Sequence, residues 1–222
     1  MNKIILVFTF LLVSIAGFSQ VKFMAGLSGS PNAAVGTFAN QGSTTYGKYA
    51  QGFSIGGGID AGVYFGKRFF LLTGLERMGR QYTYRSTYTT DIPGYGPFST
   101  GTKITATVHS WEIPLLANII LSHDEEKAVT CFLSAGFIGG KTTTVKGTEV
   151  STAGGPSSSF SGSGSQILNP TFIDASFGIG AKVNFNEKLS LLLLPDIRYQ
   201  LTHSSYNTVY TATFRTMLMY NF

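Results

Sequence analysis

Five carboxylates and four cations stand in stretches of this sequence that are otherwise apolar or glycine-rich: Asp60, Glu76, Glu112, Asp174 and Asp196, with Arg80, Lys182, Arg198 and Arg215. The run "SWEIPLLANIIL", Ser110 to Leu121, is typical, since it keeps Glu112 and Pro114 among residues that call for burial. Ionisable groups in such settings have two uses. They can carry a proton or bind a charged solute, the default for charges at membrane depth, or they can neutralise one another, because an unpaired buried charge is costly.

Other residues capable of chemistry form no constellation. His109, His123 and His203 are far apart in sequence and Cys131 is the only cysteine, so no spacing suggests a metal site or an internal disulfide. "AGFIGGKT", Ala135–Thr142, matches a relaxed phosphate-loop pattern, but that chemistry needs a helix after the loop, and the β-branched "TTVKGTEVST" follows instead. His203 and Ser205 resemble the His-x-Ser arrangement of lipid A deacylase barrels. A base beside a nucleophile needs an orienting carboxylate, and none lies between Thr208 and Phe222. Neither a catalytic residue nor a cofactor is expected.

The elements that position the charges follow from composition and periodicity. "MNKIILVFTFLLVSIAGFSQ" has a basic start, an apolar core too short to span a bilayer, and small residues before Gln20, which is the pattern of an export signal. The expected division is therefore a signal peptide over 1–19 and one domain over 20–222. Charged residues make up 12% of the chain and aromatics 14%, about half the charge of an ordinary soluble domain. The net charge of +5 is spread without a basic cluster, so no nucleic-acid footprint is present. The longest later apolar run, "LSLLLLPDI", breaks at Pro195 and Asp196. With no spanning helix, a closed barrel is the remaining way for such a chain to sit in a membrane.

Period-two alternation predicts eight strands: Val21–Ser28, Gln51–Phe65, Phe69–Tyr88, Lys103–Leu121, Ala128–Val145, Leu168–Phe185, Leu189–Ser205 and Thr208–Phe222. Short turns at Gly66–Arg68, Ser122–Lys127 and Asn186–Lys188 alternate with long polar segments at Gly29–Ala50, Thr89–Thr102 and Lys146–Gln166, the outer-membrane pattern. The last connection, around Tyr206 and Asn207, must be tight. "GGPSSSFSGSGS", Gly154–Ser165, has too little apolar content to pack and reads as a surface loop. The fold expected is an all-β, antiparallel, up-and-down transmembrane barrel with a filled polar core.

Alternation turns Trp111, Ile113, Leu115, Ala117, Ile119 and Leu121 to lipid, and Ser110, Glu112, Pro114, Leu116 and Asn118 inward. The same rule makes the nine charged residues an interior belt, which pairing suits best because about eight strands leave room only for side chains. Phe65, Phe69, Phe185, Tyr220 and Phe222 suit an interfacial girdle at the short-turn end, and Tyr82, Tyr84, Trp111, Tyr206 and Tyr210 one at the other. Arg77 follows inward Glu76 and would face lipid, at up to ~2–4 kcal/mol near midplane. A bulge near Gly74 or Gly79 is expected to re-aim it.

In order and spacing, "LLTGLERMGRQY" (Leu71–Tyr82), "WEIPLLANI" (Trp111–Ile119), "SAGFIGG" (Ser134–Gly140), "IDASFGIGAKV" (Ile173–Val183) and the aromatic terminus together resemble the PorT-like outer-membrane β-barrel domain of Bacteroidota. The resemblance covers nearly all of the chain after the signal. It implies interior structural positions for Glu76, Glu112, Asp174 and Arg215. One branch of that family is linked to type IX secretion, a role that does not transfer on these motifs. The expectation is a non-enzymatic outer-membrane barrel serving envelope structure, surface interaction or support of a larger complex, with a solute channel and a lipid-modifying enzyme as rivals. Its partners would be outer-membrane lipid, the barrel-insertion machinery reading Tyr220 and Phe222, and an envelope protein.

Overall fold

A computed structural model describes residues 21–36, 48–92, 96–121, 128–151, 158–163, 171–202 and 209–222. The expected signal peptide lies outside these residues, as do His123, His203, Ser205, Tyr206 and the side chains of Tyr82 and Tyr84.

The described residues form ten strands: β1 Val21–Gly36, β2 Lys48–Gln51, β3 Phe53–Phe65, β4 Phe69–Ile92, β5 Gly96–Ile120, β6 Val129–Ser151, β7 Ser158–Ser163, β8 Thr171–Asn184, β9 Leu189–Gln200 and β10 Val209–Asn221. Each long strand pairs antiparallel with its neighbour. β1 pairs with both β3 and β10, and β4 with β5, so the sheet closes on itself. β2 continues the β3 stave beyond Gly52, and β7 pairs with Thr144–Glu149 of β6 beyond the end of the β6–β8 ladder, continuing the β8 stave. The result is an eight-stranded antiparallel barrel.

Short turns lie at one end. Gly66 takes φ +69°, a left-handed conformation cheap only for glycine, and turns the chain from β3 into β4. At the β8–β9 turn, Asn186 Oδ1 accepts from the backbone N–H groups of Lys188 and Leu189, a side-chain mimic of a backbone turn.

At the loop end the strands run further than alternation predicts. The segments Gly29–Ala50, Thr89–Thr102 and Lys146–Gln166 are not simply loops. β1 continues to Gly36, the β4–β5 ladder to Ile92 opposite Gly96, and β6 to Ser151, with β7 pairing on Thr144–Glu149. Turn-forming residues such as Pro31 were outweighed by pairing on both sides: Pro31 sits opposite Ile55, and Asn32 Nδ2 donates to the Gly79 carbonyl across the interior at 3.0 Å. Among the described residues, the β4–β6 wall therefore rises above the other strands as a projecting sheet.

The interior is also less polar than expected. Its short-turn half is packed with Met24, Phe70, Leu72, Leu116, Phe132, Leu192, Leu194, Met217 and Met219, joined by Tyr64. "LSLLLLPDI" and "MLMY" are apolar on both faces, so alternation there does not show which face is inside. Inward glycines seat the largest of these side chains. A Cβ on Gly180 would strike the Phe132 ring opposite it, and one on Gly140 would strike Phe172. Small and large residues thus interdigitate across the narrow bore.

Candidate functional site

Immediately above this apolar plug sits a network of ion pairs. Its centre is Glu112, fully buried on β5. Glu112 Oε2 accepts from Arg198 Nη1 of β9 at 2.7 Å, and Oε1 accepts from Ser110 Oγ at 2.8 Å. Arg80 Nη2, from β4, lies 2.8 Å from the same Oε1 and donates to Asp174 Oδ2 of β8 at 3.1 Å. Arg198 Nε in turn donates to Asp196 Oδ2 at 2.9 Å, and Ser176 Oγ donates to that oxygen at 2.9 Å. The chain Asp174–Arg80–Glu112–Arg198–Asp196 thus spans the bore.

A second pair stands beside it. Arg215 Nη2 of β10 donates to Glu76 Oε2 at 3.2 Å, and its Nε lies 2.9 Å from Oε1. Glu76 is directly opposite Glu112 in the β4–β5 ladder. Two carboxylates placed face to face would repel, and the guanidiniums of Arg80, Arg198 and Arg215 offset that repulsion. The Arg80 guanidinium carbon also sits 4.8 Å from the centre of the Phe172 ring, a cation–π contact.

The remaining sequence-identified charges take different places. Asp60 is buried on β3, opposite Gly74, where a Cβ would meet its Oδ1. Lys182 is not brought to the network. It is half-buried toward the short-turn end of β8, its Nζ 4.7 Å from the centre of the Tyr64 ring. Ser110 faces inward as alternation predicts, whereas Ser176 and Phe172 belong to the site but escaped the sequence reading, because serine and phenylalanine in alternating strands carry no distinguishing signal.

Arg77 is a correction. The β3–β4 ladder runs through Gly74 and the β4–β5 ladder keeps one register from Phe69 to Ile92, so no extra residue on β4 re-aims it; the one-residue shift on the other edge, between the Gly57–Arg77 and Gln51–Tyr82 pairs, leaves Arg77 outward. It faces outward, with its guanidinium carbon 5.9 Å from the centre of the Trp111 ring. A register shift also lies between His109 and Ser110 on β5, where β6 carries the extra residue Thr143, whose Oγ1 donates to the His109 carbonyl at 3.1 Å.

Chemically, the network is a set of guanidinium–carboxylate pairs. Arginine does not give up its proton in proteins, so its guanidinium links join the carboxylates as ion pairs and not as steps of a proton relay. Among the described residues no histidine enters the network and no cluster of His, Cys, Asp and Glu suits a metal ion. "AGFIGGKT" lies wholly within β6, and the residues that follow it continue that strand to Ser151.

The outer wall has the opposite character. Phe23, Leu27, Ile59, Ile113, Leu115, Ile119, Phe137, Phe177, Ile179, Ile197, Phe214 and Leu218 are exposed around the ring. Cys131 is exposed on the same wall. Aromatic pairs mark both ends: Phe65 with Phe69 and Tyr220 with Phe222 at the short-turn end, Tyr199 with Tyr210 toward the loops.

The sequence matches no known family model and no curated protein. Among solved structures, the chain is similar to Neisserial surface protein A (14% identity, TM-score 0.45, covering 90% of this chain and 97% of that one). It is also similar to Ail, the attachment invasion locus protein of Yersinia pestis (11%, TM-score 0.40, 91% and 99%). A third is the outer membrane protein OprG from Pseudomonas aeruginosa (9%, TM-score 0.35, 91% and 95%). At such low identities and scores these likenesses carry no function across, and the barrel stands on its own closed ladder.

Proposed function

We propose that this chain is an outer-membrane β-barrel protein of the PorT-like kind, exported by residues 1–19, non-enzymatic, and closed to solutes. Its role is envelope structure, surface interaction or support of a larger membrane complex, exercised through the β4–β6 sheet that projects at the loop end. The observation that carries this reading is the pairing of an apolar outer wall with an interior blocked twice, by the ion network and by the apolar plug beneath it. Arg198, Arg215, Glu76 and Glu112 are each no more than 1% exposed, so no continuous aqueous path passes them. A ring of strands that exposes aliphatic and aromatic side chains outward is stable only with lipid against it.

Ion conductance of the purified, folded protein in a planar bilayer tests it. Silence is expected, with folding checked by the shift in gel mobility between heated and unheated samples. Steady, size-limited channels would overturn the closed reading and make the network a selectivity filter.

A further inference from the structure

The outward-facing Arg77 needs an explanation, since a lipid-facing cation is costly near the midplane and nearly free at the interface. Its row across the sheet supplies one. In the β4–β5 and β5–β6 ladders Arg77 is opposite Trp111, and Trp111 is opposite Lys141. All three are exposed on the outer wall. Toward the short turns, the outward residues of these strands include Leu75, Ile113, Leu115 and Phe137. Toward the loops they are Gly79, Gln81 and Thr83 on β4, His109, Thr107 and Thr105 on β5, and threonines with Lys146 on β6. The row therefore lies where the hydrocarbon-facing surface ends. From it up to the Lys103–Val150 pair, no carboxylate occupies the outward face of the three strands.

We propose that Arg77 and Lys141, on either side of Trp111, form a seat for the phosphate-bearing headgroup of an anionic membrane lipid at the loop-end boundary of the barrel. Trp111 anchors the row at the level where amphipathic rings settle. Its face also holds the Arg77 guanidinium by cation–π contact, leaving the N–H fork free to turn toward an anion. Lys141 supplies the second positive charge, and Lys146, exposed on the same face nearer the loops, extends the positive field outward. The inference rests on the membrane-spanning reading and deepens it, by giving this stretch of wall a lipid preference that other stretches lack.

Trp111 is the only tryptophan in the chain, so its fluorescence reports on this site alone. The full-length protein after signal removal, folded in a zwitterionic detergent, would be titrated with phosphatidylglycerol, with phosphatidylcholine of the same acyl chains, and with inorganic phosphate. A saturable change in Trp111 emission is expected with phosphatidylglycerol only. In Arg77→Gln/Lys141→Gln its apparent affinity should fall roughly thirtyfold, the combined effect of two interfacial charges. Equal responses to the two lipids, or a double variant that responds like the parent, would overturn the site. A response to inorganic phosphate at the same concentrations would also overturn it, by showing a free-anion site. Insertion into phosphatidylcholine vesicles, scored by protection of the barrel from protease, separates the two levels. A parent protein that fails to insert sinks the membrane reading itself, whereas insertion without lipid discrimination sinks only the headgroup seat.

Discussion

Glu112 shows how much one residue can hold. It meets two guanidiniums and a hydroxyl with no water-accessible surface of its own. Glu112→Leu would cut the link between the Arg80–Asp174 and Arg198–Asp196 pairs and take away the acceptor that Arg80 Nη2 and Arg198 Nη1 face, and removing one member of a buried ion-pair network typically costs about 3–5 kcal/mol. Arg215→Leu should cost a similar amount by stranding Glu76. The double variant Glu76→Met/Arg215→Met removes both charges together and should lose less than Arg215→Leu alone. Urea unfolding of the protein in lipid vesicles measures all three, and unchanged midpoints in both single variants would remove the structural account of the network. In sequence, Glu112 and Pro114 share one alternation face while Trp111 and Ile113 share the other, and the structure buries the first pair and exposes the second. Partner choice was not legible. Arg80 finds Asp174 across the bore, a contact that depends on closure of the ring and not on local spacing.

Strand existence was legible from alternation, and strand ends were not. Alternation ends the first strand at Ser28, before the polar segment Gly29–Ala50, yet β1 gains pairing from β3 and β10 together, and two ladders outweigh the turn preference of Gly29, Pro31 and Asn32. The β4–β5 ladder likewise runs on past Tyr88 and Lys103, to Ile92 opposite Gly96. The glycines inside strands had a general reading, close packing at the barrel wall, but the side chain each one admits depends on register. Gly180 opposite Phe132 gives the sharpest test. Gly180→Leu would force the Phe132 ring out of a plug in which it packs on Phe70 with centroids 5.3 Å apart. The expected loss is about 1–3 kcal/mol from overpacking. Gly139→Leu, on the outward face where a Cβ meets nothing, should change stability far less. If the two substitutions cost the same in urea unfolding, the plug is not packed as described.

At the scale of the molecule, eight alternating segments with short turns at one end were enough to indicate a closed barrel, because only closure satisfies every strand edge in lipid. The unequal height of the wall was hidden, since its extra rungs are written in Thr, Ser, Gly and Tyr, which read as loop. Closure itself depends on the last strand. β10 joins β9 to β1, and the Phe222 N–H donates to the Phe23 carbonyl at 2.8 Å, the final rung of the seam. The Phe222 side chain adds little to that seam. It is 73% exposed and touches the Tyr220 ring edge-on at the short-turn boundary. Phe222→Ala keeps the backbone rung and removes only this exposed ring, so unassisted refolding into lipid vesicles should keep its urea midpoint within about 1 kcal/mol. If the ring is instead what the insertion machinery reads, the same variant should accumulate as an unfolded precursor in cells, with the heat-modifiable barrel appearing several-fold more slowly. Slow assembly with an unchanged midpoint separates a recognition signal from a structural contact. Normal assembly in cells would mean that the closing strand is recognised through its backbone edge or through Tyr220, and that Phe222 serves only as an interfacial anchor.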